Sequence, residues 1–315
     1  MKRRDTLALG AGLALPTACA LAQTSTSKVV PKKVLRYAFR VAETGFDPAQ
    51  INDLYSRTVT PHIFEALYQY DPLARPATVR PLTADGMPQS SDDFTTWTVK
   101  VKPGIFFAKD AAFKGKPREL VAEDYVYSFK RFADPAVKSP AWTGMADFEF
   151  IGLAELRKAA LDGKKAFDYD KPIDGLRALD RHTVQFRLAK PSPRFITEAL
   201  AGSDLTGAVA REVAEFYGDT IMGHPVGTGP FKLVQWRRSS FIALERSEDY
   251  REVRYDAAPA ADDMQGQAIL AKLKGKKLPM IDRVEISIIE EDQPRWLTFL
   301  QDKSDVLIEV PPEFI

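Results

Sequence analysis

The stretch "HPVGTGPFKLVQW", His224 to Trp236, sets two glycines around a threonine, follows them with proline, and then alternates. A glycine-rich turn of this kind cradles phosphate when a helix follows it, because amides and helix dipole then converge on the anion. Here Pro230 directly after Gly229 removes one donor amide, and no third glycine or Lys-Ser/Thr pair follows at the required spacing. Phe231, Leu233 and Gln235 alternate with Lys232, Val234 and Trp236, which is the period of a strand. The stretch predicts a tight turn entering a strand, and it argues against a nucleotide-dependent enzyme.

Outward from that stretch, the chain reads as mixed strands and helices without a strict βαβ rhythm, hence α/β or α+β with mixed sheets. Strands are predicted over Val34–Val41, Phe94–Val101, Thr183–Leu188, Phe241–Glu245, Ile281–Ile289 (buried) and Val306–Val310. Helices are predicted over Ser56–Tyr68, Val121–Phe132, Gly152–Asp162, Ile196–Ala201, Ala208–Tyr217 and Pro294–Leu300. Within Val121–Phe132 the acids Glu123 and Asp124 open the helix and Lys130 and Arg131 close it, as the helix dipole favours. Pro61 fits Ser56–Tyr68 only in its first turns. Ala257–Gln267 reads as a polar, alanine-rich surface connection.

The 315 residues suggest two domains at roughly 100–200 residues each. With 45% hydrophobic and 28% charged residues the composition is that of a soluble globular protein. Formal net charge is +1, and without Lys2, Arg3, Arg4 and Asp5 there remain 41 basic against 42 acidic residues. Neither balance calls for a nucleic-acid partner.

The N-terminus follows the grammar of an export signal over residues 1–22. Lys2-Arg3-Arg4 supplies the positive region, Leu7–Leu15 the short apolar run, and Ala20-Leu21-Ala22 the cleavage site. The Arg3-Arg4 pair admits the twin-arginine route as well as the general one. Cys19, the single cysteine, leaves with the signal under this reading. A lipoprotein signal would retain it, but Pro16-Thr17-Ala18 lacks the aliphatic residue expected upstream. The mature chain then needs no disulfide in an oxidising compartment.

Catalytic signatures are sparse. His62, His182 and His224 are far apart and form no HExxH pair. No GxSxG nucleophile turn occurs, and Ser203-Asp204 and Ser239-Ser240 read as turns. Glu290-Glu291-Asp292 could supply an acid and a base, yet consecutive acids leaving a strand are ordinarily solvated; Asp92-Asp93 reads the same way. Trp142, in "SPAWTGMADF" outside any predicted element, is the aromatic residue placed to face a ligand.

The order of several motifs resembles a known family. "FEALYQYD" (Phe64–Asp71) precedes "RPLTADGMPQSSDDFTTWTVKVKPGIFFAKD" (Arg80–Asp110), "LVAEDYVYSFKRFADP" (Leu120–Pro135) and "LDRHTVQFRLAKPSPRF" (Leu179–Phe195). "PVGTGPFKLVQW" and "LERSEDYR" (Leu244–Arg251) complete the series. This succession is similar to the family 5 extracellular solute-binding proteins of ABC importers, the peptide- and nickel-binding group. The resemblance implies the type II, cluster C periplasmic binding fold, with first-lobe core at residues 23–55 and 206–315 and an inserted subdomain at 56–205. It also implies that the chain stops where the crossing to the second lobe begins, so that lobe is expected to be missing.

The function so implied is periplasmic capture of a peptide or similar polar solute by a monomer. Delivery goes to inner-membrane ABC permease subunits, without catalysis, cofactor or metal. The loop after the first strand, Val41-Ala42-Glu43-Thr44, is then the ligand-facing segment, with Glu43 a partner for a ligand amine or amide. The competing readings are a secreted hydrolase using acids near Glu290 and a sensor or scaffold of the same fold.

Overall fold

The structure, a computed structural model, describes residues 32–202, 204–312 and 315. The proposed signal with Cys19, and Ser203, lie outside the described residues. Strand β1 (Val34–Phe39) and helix α1 (Leu54–Val59) lead to the short strands β2 (Tyr68–Tyr70), β3 (Val79–Pro81) and β4 (Gln89–Ser90), then to β5 (Thr96–Lys100). Helices α2 (Ala122–Ala133), α3 (Trp142–Ala146) and α4 (Leu153–Gly163) precede the hairpin of β6 (Leu176–Asp180) and β7 (Thr183–Arg187). After a π turn at Ile196–Leu200 come α5 (Arg211–Tyr217), β8 (Phe231–Arg237), β9 (Phe241–Arg246) and β10 (Val253–Arg254). Helix α6 (Met264–Leu273), β11 (Lys277–Leu278), β12 (Arg283–Ile288) and α7 (Asp292–Leu300) complete the order.

Two four-stranded sheets organise these elements. One runs β1-β12-β9-β8, with β1 parallel to β12 and the other pairs antiparallel, so β1 is an edge strand. The other, β4-β5-β7-β6, is antiparallel throughout. Each sheet carries its own core. Phe39, Phe46, Val59, Ile63, Phe64, Ile242, Leu244 and Ile286 pack on the first. Trp97, Val99, Val184, Phe186 and Phe195 join the helices on the second. Each fully buried Phe of this kind is worth about 1.5–3 kcal/mol relative to exposure.

Helix α2 explains why the second core is large. All of its residues except Glu123 are buried, including four polar ones. Asp124 pairs with Arg118, Ser128 accepts the amide of Val209, and Lys130 donates to the carbonyls of Tyr169 and Lys171. Lys130 and Arg131 stand in the last turn, as the helix dipole favours, and they also bind other segments of the chain.

Several predicted elements change in the structure. The helix expected over Ser56–Tyr68 is α1 plus a 3₁₀ turn at Thr60–His62 that takes in Pro61, and Tyr68 already stands in β2. Proline ends the α-helical ladder because its ring obstructs the preceding turn and it lacks an N–H. The expected helix over Ala208–Tyr217 begins only at Arg211, with Ala210 extended before it. Val306–Val310 forms no strand. It runs beside β1, tied by the Arg40–Glu309 ion pair and by Asp305 just before it, whose amide donates to the Arg36 carbonyl at 2.9 Å and whose carboxylate accepts the Arg36 amide at 2.6 Å. Ala257–Gln267 contains the start of α6, capped by Asp263 accepting from the Gly266 amide at 2.8 Å. Strand β12 is half-buried rather than fully buried, with only Ile286 in the core class.

The opening stretch behaves as predicted, for a different physical reason. β8 begins at Phe231, directly after Pro230. A Cβ at Gly227 would sit 2.0 Å from the Ile63 carbonyl oxygen, and one at Gly229 would sit 2.7 Å from it. The Gly229 amide donates to that same oxygen at 2.8 Å, and the Gly227 carbonyl accepts from Ala108. The glycines permit two backbones to touch.

Candidate functional site

The segment between β1 and α1 is held from below by side chains and left open above. Asp53 caps α1 by accepting the Ser56 amide at 2.7 Å and also takes the Thr44 hydroxyl at 2.5 Å. Burial opposes the charge on Asp53, but the Ser56 amide and Thr44 hydroxyl outweigh it, and its pKa lies below the usual carboxylate value. Ser56 Oγ accepts the amides of Thr44 at 3.0 Å and Gly45 at 3.3 Å. The Phe46 amide reaches the Met222 carbonyl at 2.9 Å, and Phe46 meets Trp236 edge-on at 5.1 Å.

Two buried acids anchor the ends of this segment. Asp47 forms a two-pronged pair with Arg131 of α2. Glu43 accepts the indole N–H of Trp236 at 2.5 Å and the amide of Ser239 at 3.1 Å through Oε1, tying the segment to the β8–β9 hairpin. Arg40 at the end of β1 is joined to Glu309 and, at 3.3 Å, to Asp292.

Between these anchors Val41 and Thr44 are exposed and Ala42 is half-buried. Among the described residues, the main-chain groups of Val41 and Ala42 have no hydrogen-bond partner. The chain bends at Arg40 and Val41, just past the end of β1, and unpaired main chain at the end of an edge strand is a place where another chain can add. Beside it lies a cleft of about 400 Å³ lined by Tyr37, Phe39, Leu54, Tyr55, Val306 and Ile308.

Trp142 lies elsewhere. It opens α3 rather than an irregular loop, packs half-buried against the second core, and lies under the Arg157 guanidinium at 4.9 Å from its ring centre. The cleft of about 600 Å³ at α3 is lined by its neighbours Ala141, Gly144 and Met145. Asp292, at the end of the Glu290–Asp292 run, is engaged with Arg40 and Arg295. His62 meets Phe231 edge-on, and His224 stacks flat on Tyr217 at 4.0 Å. The residues that sequence reasoning missed are the supports: Asp53, Ser56, Arg131 and Trp236. Asp53 and Ser56 were legible as a helix cap three residues apart; the other two come from distant segments and leave no local signal.

The family model described as bacterial extracellular solute-binding proteins, family 5 Middle, matches residues 78–315. This chain belongs to that family. It is 27% identical over 237 residues to di/tripeptide-binding protein 2 of Pseudomonas aeruginosa, a match covering 74% of this chain and 40% of that protein. It is 30% identical over 213 residues to periplasmic oligopeptide-binding protein OppA of Escherichia coli, covering 65% of this chain and 34% of that protein. Among solved structures, Haemophilus influenzae OppA in complex with RPPGFSPFR superposes with a TM-score of 0.67 at 20% identity, over 90% of this chain and 47% of that one. Burkholderia pseudomallei OppA gives 0.64 at 20% identity, over 90% and 47%. At such identities the likeness establishes the fold, a mixed α/β single lobe matching the first lobe of these binding proteins. The chain spans between about a third and a half of the length of these relatives. The family is, by the description of its model, one of extracellular solute-binding proteins.

Proposed function

We propose that this chain is the periplasmic solute-binding component of an ABC importer, exported behind residues 1–22. In this reading it captures a peptide or similar polar solute and delivers it to inner-membrane permease subunits. The observation that carries the reading is the unpaired main chain of Val41 and Ala42 at the end of the edge strand β1. A peptide supplies the matching donors and acceptors by extending alongside, and its side chains then choose pockets. The names of the relatives, di/tripeptide- and oligopeptide-binding proteins, support the same cargo.

The domain division at 23–55 with 206–315, against 56–205, is part of the proposal. It is supported by the strands: those of the β1-β12-β9-β8 sheet fall in the first set and those of β4-β5-β7-β6 in the second. Capture proceeds by closure of two walls over the solute, a shift of population toward the closed state driven by contacts made only there. In this reading the described residues form one wall, so this chain by itself is expected to bind weakly, because a ligand stays wet on one side.

Equilibrium dialysis with labelled tri-alanine tests the reading. Saturable uptake, displaced by other tripeptides and not by glucose or ATP, is expected. Absence of saturable uptake, or displacement by the sugar, overturns it.

A further inference from the structure

Between β9 and β12 the chain leaves the first sheet as an arm, residues 251–279, that carries β10, α6 and β11. The arm is pinned to the body. Asp71 accepts the Ala258 amide at 3.1 Å, Arg80 donates to the Asp256 carbonyl, and Arg246 donates to the Pro279 carbonyl at 2.8 Å. Its helix adds nothing to either core, and of α6 only Gly266 is buried. At the C-terminal end of α6 the sequence runs Lys272-Leu273-Lys274-Gly275-Lys276-Lys277, and all four lysines are exposed. Among the described residues, no carboxylate lies within 4.0 Å of any of these ammonium groups, and none of them donates a hydrogen bond.

The fold supplies no counter-charge here, although it does elsewhere. On α4, Lys158 meets Asp162 one turn on, whereas one turn before Lys272 and Lys274 stand Ala268 and Leu270. Arg254, opposite Lys277 across the β10–β11 pair, already has Glu252 as its partner. Asp263 caps the other end of α6. The backbone under the lysines is fixed as well. The Gly275 amide donates to the Tyr255 carbonyl and the Tyr255 amide to the Lys276 carbonyl, each at 2.9 Å. Four like charges held side by side repel one another, and an external anion removes that cost.

The chemistry of the patch selects the anion. No exposed aromatic or aliphatic side chain lies from Lys272 to Lys277, so the desolvated anchor on which a protein interface turns is missing. Ammonium groups on flexible stems act as point charges and suit a surface of phosphates, which asks for no pocket. We propose that Lys272, Lys274, Lys276 and Lys277 form a contact for an anionic phospholipid surface. The arm leaves the sheet after Arg246, which pairs with Phe231 at the start of β8. Val41–Thr44 is tied through Glu43 to Trp236 and Ser239, at the other end of β8. The contact therefore holds the chain at a membrane by the end of the sheet opposite the segment proposed for solute. This inference rests on the proposed export of the chain, which places it beside the inner membrane.

Co-sedimentation with vesicles tests this. The chain from Gln23 is used, because Lys2–Leu15 are basic and apolar and would bind vesicles by themselves, and Lys32–Ile315 form one compact unit. Vesicles of phosphatidylcholine with about one-third phosphatidylglycerol are expected to take up the chain at about 0.05 M salt and release it at about 0.5 M. Pure phosphatidylcholine is expected to take up none. Lys272→Gln, Lys274→Gln, Lys276→Gln and Lys277→Gln together are expected to lower uptake at least about tenfold, with the melting temperature unchanged. A charge-matched variant of four other exposed lysines, Lys114→Gln, Lys116→Gln, Lys164→Gln and Lys165→Gln, is expected to lower it less than about twofold. Equal losses in the two variants, or equal uptake by pure phosphatidylcholine, overturn the inference. Tighter binding to soluble polyglutamate than to the vesicles also overturns it and assigns the patch to an acidic protein. Tri-alanine uptake is measured on the same samples. Uptake that persists where vesicle binding is absent overturns this inference and leaves solute capture standing; vesicle binding without tri-alanine uptake does the reverse.

Discussion

Asp47 and Arg131 stand 84 positions apart and form a buried two-pronged ion pair, Nη1 to Oδ1 at 2.5 Å and Nη2 to Oδ2 at 2.7 Å. The pair joins the segment after β1 to the helix at the centre of the second core. Burial alone would lower the arginine's pKa, but Asp47 outweighs it and the guanidinium is held charged. Removing either partner leaves the other buried and alone. Asp47→Asn and Arg131→Met are each expected to cost about 3–5 kcal/mol in urea unfolding, with the double variant costing less than the sum. Additive losses would show that the pair is not a unit.

Gly227 and Gly144 make a contrasting pair of substitutions. A Cβ at Gly227 meets the Ile63 carbonyl at 2.0 Å, whereas at Gly144, inside α3, nothing lies within 4 Å. Gly227→Ala is expected to lose at least about 2 kcal/mol, because backbone must move. Gly144→Ala is expected to gain about 0.5–1 kcal/mol from the lower entropy of the unfolded chain. Denaturant midpoints of the two variants, measured in parallel, check both signs.

Acid should weaken the fold through Glu119. Its pKa is held down to about 2 by the Gly104 amide first and by Arg181 next. A folded-state pKa below the ordinary value of 4.5 contributes stability that is complete above 4.5 and disappears as pH falls toward 2. Glu119→Gln is expected to flatten the stability profile between those limits and leave the slope above pH 5 unchanged. A profile unaltered across the acid window would contradict the assignment.

The segment from α7 to Val310 presents apolar side chains to water, among them Leu300 at 57% and Ile308 at 77% exposure. Exposed apolar side chains of this size promote self-association without contributing to the core. Ile308→Lys combined with Leu300→Lys is expected to reduce light scattering at high concentration while shifting unfolding by less than about 0.5 kcal/mol. A larger destabilisation would mean these residues are packed.

Much of the architecture was readable residue by residue. The alternation in "TVQFRL" and "FKLVQW" and the charge order in "AEDYVYSFKRF" marked β7, β8 and α2 within a residue or two. What failed were elements whose limits depend on neighbours. Val306–Val310 has strand composition, but its ties to β1 are the Arg36–Asp305 contacts just before it and the Arg40–Glu309 ion pair, and a strand needs a ladder. α6 was hidden because its face is only weakly amphipathic, so periodicity had little to report.

For the candidate site the division is sharper. The sequence by itself determined an alternating strand over Val34–Val41, because period is local, whereas the segment Val41–Thr44 was singled out only by the family resemblance. It also determined that the glycines of "HPVGTGPFKLVQW" serve no phosphate, because proline removes a donor and a strand follows. Only the tertiary structure decided that those glycines admit the Ile63 carbonyl and that Arg131 reaches Asp47. Only it left one oxygen of Glu43 buried without a donor. Those outcomes depend on contacts between segments some 80 to 200 residues apart, and hydrogen bonding and close packing act through space, where spacing along the chain carries no record of them.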